Sequence, residues 1–141
     1  MIFENTLKSA FVLISFLYGY HAFSKDTVIL VHPFENIGTK EYSWISAGLT
    51  DTVTSDLCRL KEINVISDKS RSEVLKELKF SLSDMSNEQT AIKVGKLTVA
   101  NIIFTGSYTV IGDQIRITAK LINVETSEMY KSIKIDGNIK D

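Results

Sequence analysis

From Gln114 to Leu121 every second position is apolar: Ile115, Ile117, Ala119 and Leu121 alternate with Gln114, Arg116, Thr118 and Lys120. A period of two places one set on each face of a strand, so the pattern predicts a strand with one buried and one wet face. The run "NIIFTGSYTVI" (101–111) precedes it, and Gly112 and Asp113 between them form a pair suited to positive φ, which predicts a tight hairpin. "NVETSE" (123–128) supplies a second turn, and "MYKSIKI" (129–135) alternates again. The C-terminal third therefore predicts a three-stranded antiparallel meander.

Upstream the pattern changes. "TVILVHPF" (27–34) is a continuous β-rich apolar run of the kind covered on both faces, with Pro33 expected to end its pairing. "ENIGTKEYS" (35–43) reads as a loop turning at Gly38. From Trp44 on, Ile45, Leu49, Val53, Leu57 and Leu60 recur near the helical period, predicting a helix with one buried stripe. "INVIS" (63–67) is short and β-branched, a second strand. Ser70 and Glu73 have capping-box spacing before Val74, Leu75 and Leu78, which starts a second helix. Ser86 and Gln89 repeat the device before a third helix over Asn87–Leu97, weakened by Gly95 near its end. The order β-α-β-α-α-β-β-β predicts an α/β (α+β) fold: a single mixed sheet with helices packed on it.

Composition alters this picture only at the N-terminus. The 141 residues have room for one domain, and 16 basic against 17 acidic groups give a net charge of -1, so no bulk field attracts nucleic acid or an anionic membrane. "MIFENTLK" carries Lys8 against Glu4, "SAFVLISFLYGYHAF" is mostly apolar, and "AFS" (22–24) puts small residues where a signal peptidase reads. The expectation is a signal peptide over 1–24 and a domain over 25–141, placing the mature chain in the periplasm. An uncleaved inner-membrane anchor and a buried helix are the alternatives. Cys58 is the one cysteine, which excludes an internal disulfide, and no cysteine follows the apolar run, so no lipid anchor is expected. Cys58 lies within "SDLCRL" at helical spacing, the setting of a small buried side chain rather than a reactive thiol.

The chemical inventory is thin. A serine-type hydrolase needs a nucleophile, a base and an orienting acid in contact, but His21 falls in the leader and His32 at a strand end, where sheet-edge packing is the simpler reading. Cys58 and His32 make no ligand cluster, so no metal is expected. Asp51 and Asp56, five apart on a helix, do not face each other as an acid–base pair and read as solvated surface. "ENIGTKEY" lacks the Gly-Lys-Ser/Thr ending of a phosphate loop. The reading is a non-enzymatic chain without cofactors. The candidate interface residues are Trp44 and Tyr42 at the first helix, Arg116 and Lys120 on the wet face of the hairpin, and Tyr130 on the last strand. For Trp44, core packing competes with the interface role, and for Arg116 and Lys120 a solvated face does. The edge strand "MYKSIKI" is a template for self-association or strand addition, with Lys131 and Lys134 as its guards.

"PFEN" (33–36) after the first strand, "GLTD" (48–51) in the first helix, "GK" (95–96) ending the third, "FTGSY" (104–108) and "AKLINVETSE" (119–128) occur in this order over about 28–135. Taken together they resemble the domain shared by FlgO-type flagellar outer-membrane proteins, the curli-secretion protein CsgG, LpoB-type activators of peptidoglycan synthases and the TolB N-terminal domain. The FlgO type is similar in length and in the wording "ITAKLINVET" (117–126). Its motif residues read as structural: Gly106 admits a close neighbour within a strand, and Pro33 with Phe34 ends a strand and plugs a core edge. The resemblance implies a periplasm-facing protein that binds envelope proteins and forms homo-oligomers. The expected role is a flagellar or secretion-associated scaffold or assembly factor, with outer-membrane association as an alternative to a free periplasmic form; the alternative role is an LpoB-like activator of a cell-wall synthase.

Overall fold

The computed structural model describes residues 27–77 and 87–140. The leader, Leu78 and Ser86 lie outside the described residues, as does the side chain of Leu75. Strands and helices are numbered along the chain: β1 (Thr27–Val31), β2 (Glu35–Asn36), α1 (Trp44–Leu57), β3 (Ile63–Val65), α2 (Asp68–Glu77), α3 (Glu88–Leu97), β4 (Ile102–Ile111), β5 (Gln114–Asn123) and β6 (Met129–Asn138).

The hairpin forms as its alternation demands. β4 and β5 pair antiparallel from Ile111 opposite Gln114 at the turn to Ile102 opposite Asn123. Of the turn pair only Gly112 adopts positive φ, at 61°, so the turn is of the kind with glycine at its first central position; Asp113 does not share that conformation. β6 adds antiparallel to β5, with a bulge between Leu121 and Ile122. The predicted meander is present. β1 lies parallel to β4 on its other side and β3 parallel to β1, giving the order β3-β1-β4-β5-β6.

The segment after Pro33 departs from the loop expected there. The His32 N–H still donates to the Phe104 carbonyl at 2.9 Å, and after Pro33 the chain rejoins β4 through β2, Glu35 opposite Ser107 and Asn36 opposite Tyr108. Proline removes one donor from the ladder, and the strand resumes once past it. Its Cα step carries Phe34 into the core, where that ring is wholly buried and lies 6.1 Å from Phe104.

Both sheet faces are covered. Ile45, Leu49, Val53 and Leu57 of α1 pack on Ile29, Val31, Phe104, Tyr108, Ile117, Ala119 and Leu121, with Leu60 at the margin. On the opposite face Ala91 and Val94 of α3 meet Leu30, Ile103 and Ile122, and Val74 of α2 joins at the edge. Neighbours in β1 thus enter opposite cores, which is why that strand reads as an unbroken apolar run. Each fully buried side chain of this size contributes about 1.5–3 kcal/mol of transfer free energy.

The caps differ from the predicted boxes. α2 begins at Asp68, and the Ser67 hydroxyl accepts from the Ser70 N–H at 3.2 Å, so Ser70 sits inside the helix instead of capping it. α3 is capped by Asn87, whose side-chain oxygen accepts from the Thr90 N–H at 2.8 Å. Asn and Ser both satisfy a free amide of the first turn, so sequence spacing alone leaves several candidate starts. Where β3 has ended, Arg71 of α2 donates to the Val31 carbonyl at 2.8 Å and pairs with Asp68 at 2.8 Å. Its guanidinium stands in for the next N–H of the missing strand.

Candidate interaction surface

The hairpin end of the sheet gathers the exposed apolar side chains of the first helix and the first parallel crossover. Tyr108, 1% exposed, donates its hydroxyl to the Tyr42 carbonyl at 2.9 Å, which fixes the short 3-10 turn Lys40–Tyr42 and the start of α1 over β4. Burial pushes the Tyr108 phenol above its ordinary value, while a backbone hydrogen bond at Ser46 acts the other way. Tyr42 is half-buried against the α1-side core, and Trp44 is 53% exposed. The Ile37 N–H donates to the Tyr108 carbonyl at 3.0 Å, bringing its exposed side chain to the same end, and exposed Ile111 closes β4.

Core packing is thus corrected for Trp44. One residue before Ile45, it is rotated about 100° from the buried stripe. The same rotation past Leu57 corrects Cys58, which is exposed instead of buried. Ile37 and Ile111 were not anticipated. Ile111 carries a readable signal, because it follows Thr105, Ser107 and Thr109 in the polar phase of β4.

Beside this apolar end lies the polar face of the meander. Arg116 makes a two-pronged contact with Asp136 on β6, Nε to Oδ1 at 2.7 Å and Nη2 to Oδ2 at 3.0 Å. That hydrogen bond, first, and the charges of Arg116 and Lys134 hold the Asp136 carboxyl below its ordinary range, with desolvation opposing. Thr109, Gln114 and Asn138 surround the pair in an open depression of about 550 Å³. Lys120 instead reaches Glu88 in the first turn of α3 at 2.6 Å. Both cations of the predicted wet face are therefore engaged, Arg116 across the strands and Lys120 against the helix. Tyr130 lies at the opposite end of the sheet, where its hydroxyl accepts from Asn123 Nδ2 at 2.6 Å near exposed Met129. The five predicted interface residues thus do not form one patch: Trp44 and Tyr42 lie on the α1 side of the hairpin end, Arg116 on the opposite sheet face, and Lys120 and Tyr130 stand apart.

The residues weighed for chemistry are dispersed. His32 is wholly buried at the end of β1, Asp51 is exposed, and Asp56 is largely covered and 3.7 Å from Arg59. Asp56 departs from the solvated reading because it follows Val53 by three residues and shares its helix face. Among the described residues no three His, Cys, Asp or Glu side chains are placed to hold a metal ion, and no helix is long and apolar enough to cross a membrane.

The sheet order and its two helical coats define a layered α/β architecture with an antiparallel meander at one edge. Solved structures share it. The C-terminal domain of LpoB from Salmonella enterica superposes with a TM-score of 0.75 at 20% identity, covering 89% of this chain and 93% of that one. Lipoprotein GNA1162 from Neisseria meningitidis gives 0.67 at 14% identity over 79% of this chain and 80% of that one. LpoB of E. coli in solution gives 0.61 at 22% identity, covering 77% of this chain and 54% of that one. At these identities the likeness establishes the fold. No protein-family model and no curated sequence matches the chain. The finer FlgO-type and CsgG-type relationship finds no support among these structures.

Proposed function

We propose that this chain is a non-enzymatic envelope protein that faces the periplasm and regulates a peptidoglycan synthase by binding it, the role implied by its resemblance to LpoB-type activators. The observation that carries the reading is the fold shared with the LpoB C-terminal domain over 89% of the chain. The scattered His, Cys and Asp side chains support contact rather than turnover. The binding surface is the α1 side of the hairpin end, where Trp44 stands exposed two residues from half-buried Tyr42. An aromatic anchor rimmed by polar groups is the usual anatomy of a binding hot spot.

Crosslinking in intact cells followed by capture of the envelope fraction tests the partner. A penicillin-binding protein is the expected catch, and Trp44→Ala lowers its recovery by at least tenfold, the equivalent of about 1.4 kcal/mol or more. Recovery of flagellar or secretion components in its place returns the chain to the scaffold role. Mass spectrometry of the periplasmic form is expected to show a chain beginning at Lys25; an intact N-terminus in the membrane fraction identifies the uncleaved anchor.

A further inference from the structure

β6 forms one edge of the sheet, and among the described residues no strand pairs its outer side. Its pairing with β5 fixes which backbone groups are free. The Ile139 N–H donates inward to the Asp113 carbonyl at 2.8 Å, and the odd-numbered positions Ile133, Ile135 and Gly137 share its phase, opposite Ala119, Ile117 and Ile115. In an antiparallel ladder N–H and C=O of one residue point to the same side, and successive residues alternate. Ser132, Lys134, Asp136 and Asn138 therefore direct their backbone groups outward. Side chains add two further features. Ile115, Ile133 and Ile135 form an apolar row on the α1 side that the helix covers only in part. On the opposite side Lys134 and Asp136 place unlike charges two residues apart.

We propose that the outer edge of β6 pairs antiparallel with the same edge of a second copy, about a two-fold axis through Ile135. In this register the outward-facing Lys134 stands opposite Asp136 of the second copy, and the reverse, while Ser132 faces Asn138. Ile135 meets its own counterpart in a non-hydrogen-bonded position, where opposed residues approach most closely, with Cα atoms about 4.5 Å apart. Neighbouring symmetric registers are worse. Centring on Lys134 or on Asp136 opposes like charges directly, which destabilises a strand pair. Centring on Ile133 loses both Lys–Asp pairs. The favoured register also joins the two half-covered isoleucine rows into one apolar strip, and being two-fold it closes at a dimer. Lys134, which guards the edge against indiscriminate strands, becomes the residue that selects this one.

The test does not depend on which synthase or other partner the protein binds. Sedimentation of the purified protein up to ~100 µM is expected to show a dimer, since a pair with a Kd of ~10 µM is then mostly associated. Lys134→Glu places two like charges opposite each other and weakens the dimer at least tenfold. Lys134→Pro removes an outward N–H while leaving the inward ladder with β5, so the dimer is lost and the far-ultraviolet circular dichroism is kept. In a Cys58→Ser background, Ile135→Cys forms an intermolecular disulfide on mild oxidation, its Cα separation being within the bridging range, and Ile133→Cys, which faces Gly137 of the other copy, does not. A protein that stays monomeric, a dimer indifferent to Lys134→Glu, or equal crosslinking from both cysteines overturns the proposal. So does an edge that becomes protected from hydrogen exchange only when a different protein is added.

Discussion

Gly106 shows how much one missing methyl group can decide. A Cβ there would run into the Thr118 carbonyl of β5 and lie 2.7 Å from Cε1 of Phe34. The first obstacle is backbone held in the β4–β5 ladder, and the second is a ring packed at zero exposure, so neither yields cheaply. Gly106→Ala should therefore cost about 3 kcal/mol and lower Tm by roughly 15 °C for a domain of this size. Thermal unfolding followed by circular dichroism checks it, and a loss under 1 kcal/mol would mean the strand bends aside. Tyr108, two residues further along the same face of β4, tests a hydrogen bond instead of a contact. Its hydroxyl bond to the Tyr42 carbonyl contributes about 1 kcal/mol, the cost expected of Tyr108→Phe near neutral pH. Because burial raises the phenol's pKa in the folded state, its contribution is complete below about pH 10, the ordinary phenol value, and falls as pH rises through the higher folded value. Urea titrations of both proteins across that range should show their stabilities converging as the solution turns alkaline; a constant gap would place the hydroxyl in solvent.

Elements differ in how plainly their sequences announce them. β4 and β5 were legible because period-two alternation runs through most of both strands, Phe104–Val110 and Gln114–Leu121, and the glycine turn fixes the register. The α1 stripe was legible for the matching reason at period 3.6, and its threonines do no harm there. Thr50, Thr52 and Thr54 each donate a hydroxyl to the carbonyl four residues back, at 2.7–2.8 Å. β2 was not legible, since two residues carry no period and their pairing comes only from tertiary placement beside β4. The interface residues fared less well than the fold. Trp44 and Cys58 differ from core residues only by where the helix stripe begins and ends, and the partners of Arg116 and Lys120 lie 20 and 32 residues away in the chain. Helix starts were the third weakness, as any of several polar residues will serve. Asn87 as the cap of α3 is testable directly: Asn87→Ala should lose about 1 kcal/mol, Asn87→Asp should lose almost none, and Glu88 should tolerate substitution better than Asn87 in chemical denaturation.

At the scale of the molecule, the sheet divides two cores of unequal weight. Among the described residues the α1 side buries the larger cluster and includes the aromatic rings of Phe34, Phe104 and Tyr108, whereas the α3 side holds Leu30, Ala91, Val94, Ala100, Ile103, Ile122 and Val124 and no aromatic ring. Gly95 brings α3 close to β4, with a Cβ only 3.0 Å from Ile103 and Val124, so this thinner layer depends on backbone approach more than on large side chains. Polar ties of this layer include Lys120 to Glu88 and Arg71 to Val31, while α1 is held by a whole apolar stripe. Apolar burial sets local opening free energies, so the layers should not open together. Native-state hydrogen exchange should rank the amides of β1 and the centre of β4 as slowest, near the global unfolding free energy, with α1 close behind. The amides of α3 should exchange through a partial opening at least ~2 kcal/mol below that limit. Val94→Ala would lower the α3 barrier while leaving β4 nearly unchanged, and Leu49→Ala would lower both, because α1 cannot leave without exposing the rings that hold the sheet. Equal protection of α3 and β4, moving together in both variants, would show instead that the two faces form a single cooperative unit and that the smaller layer is held by more than its side chains.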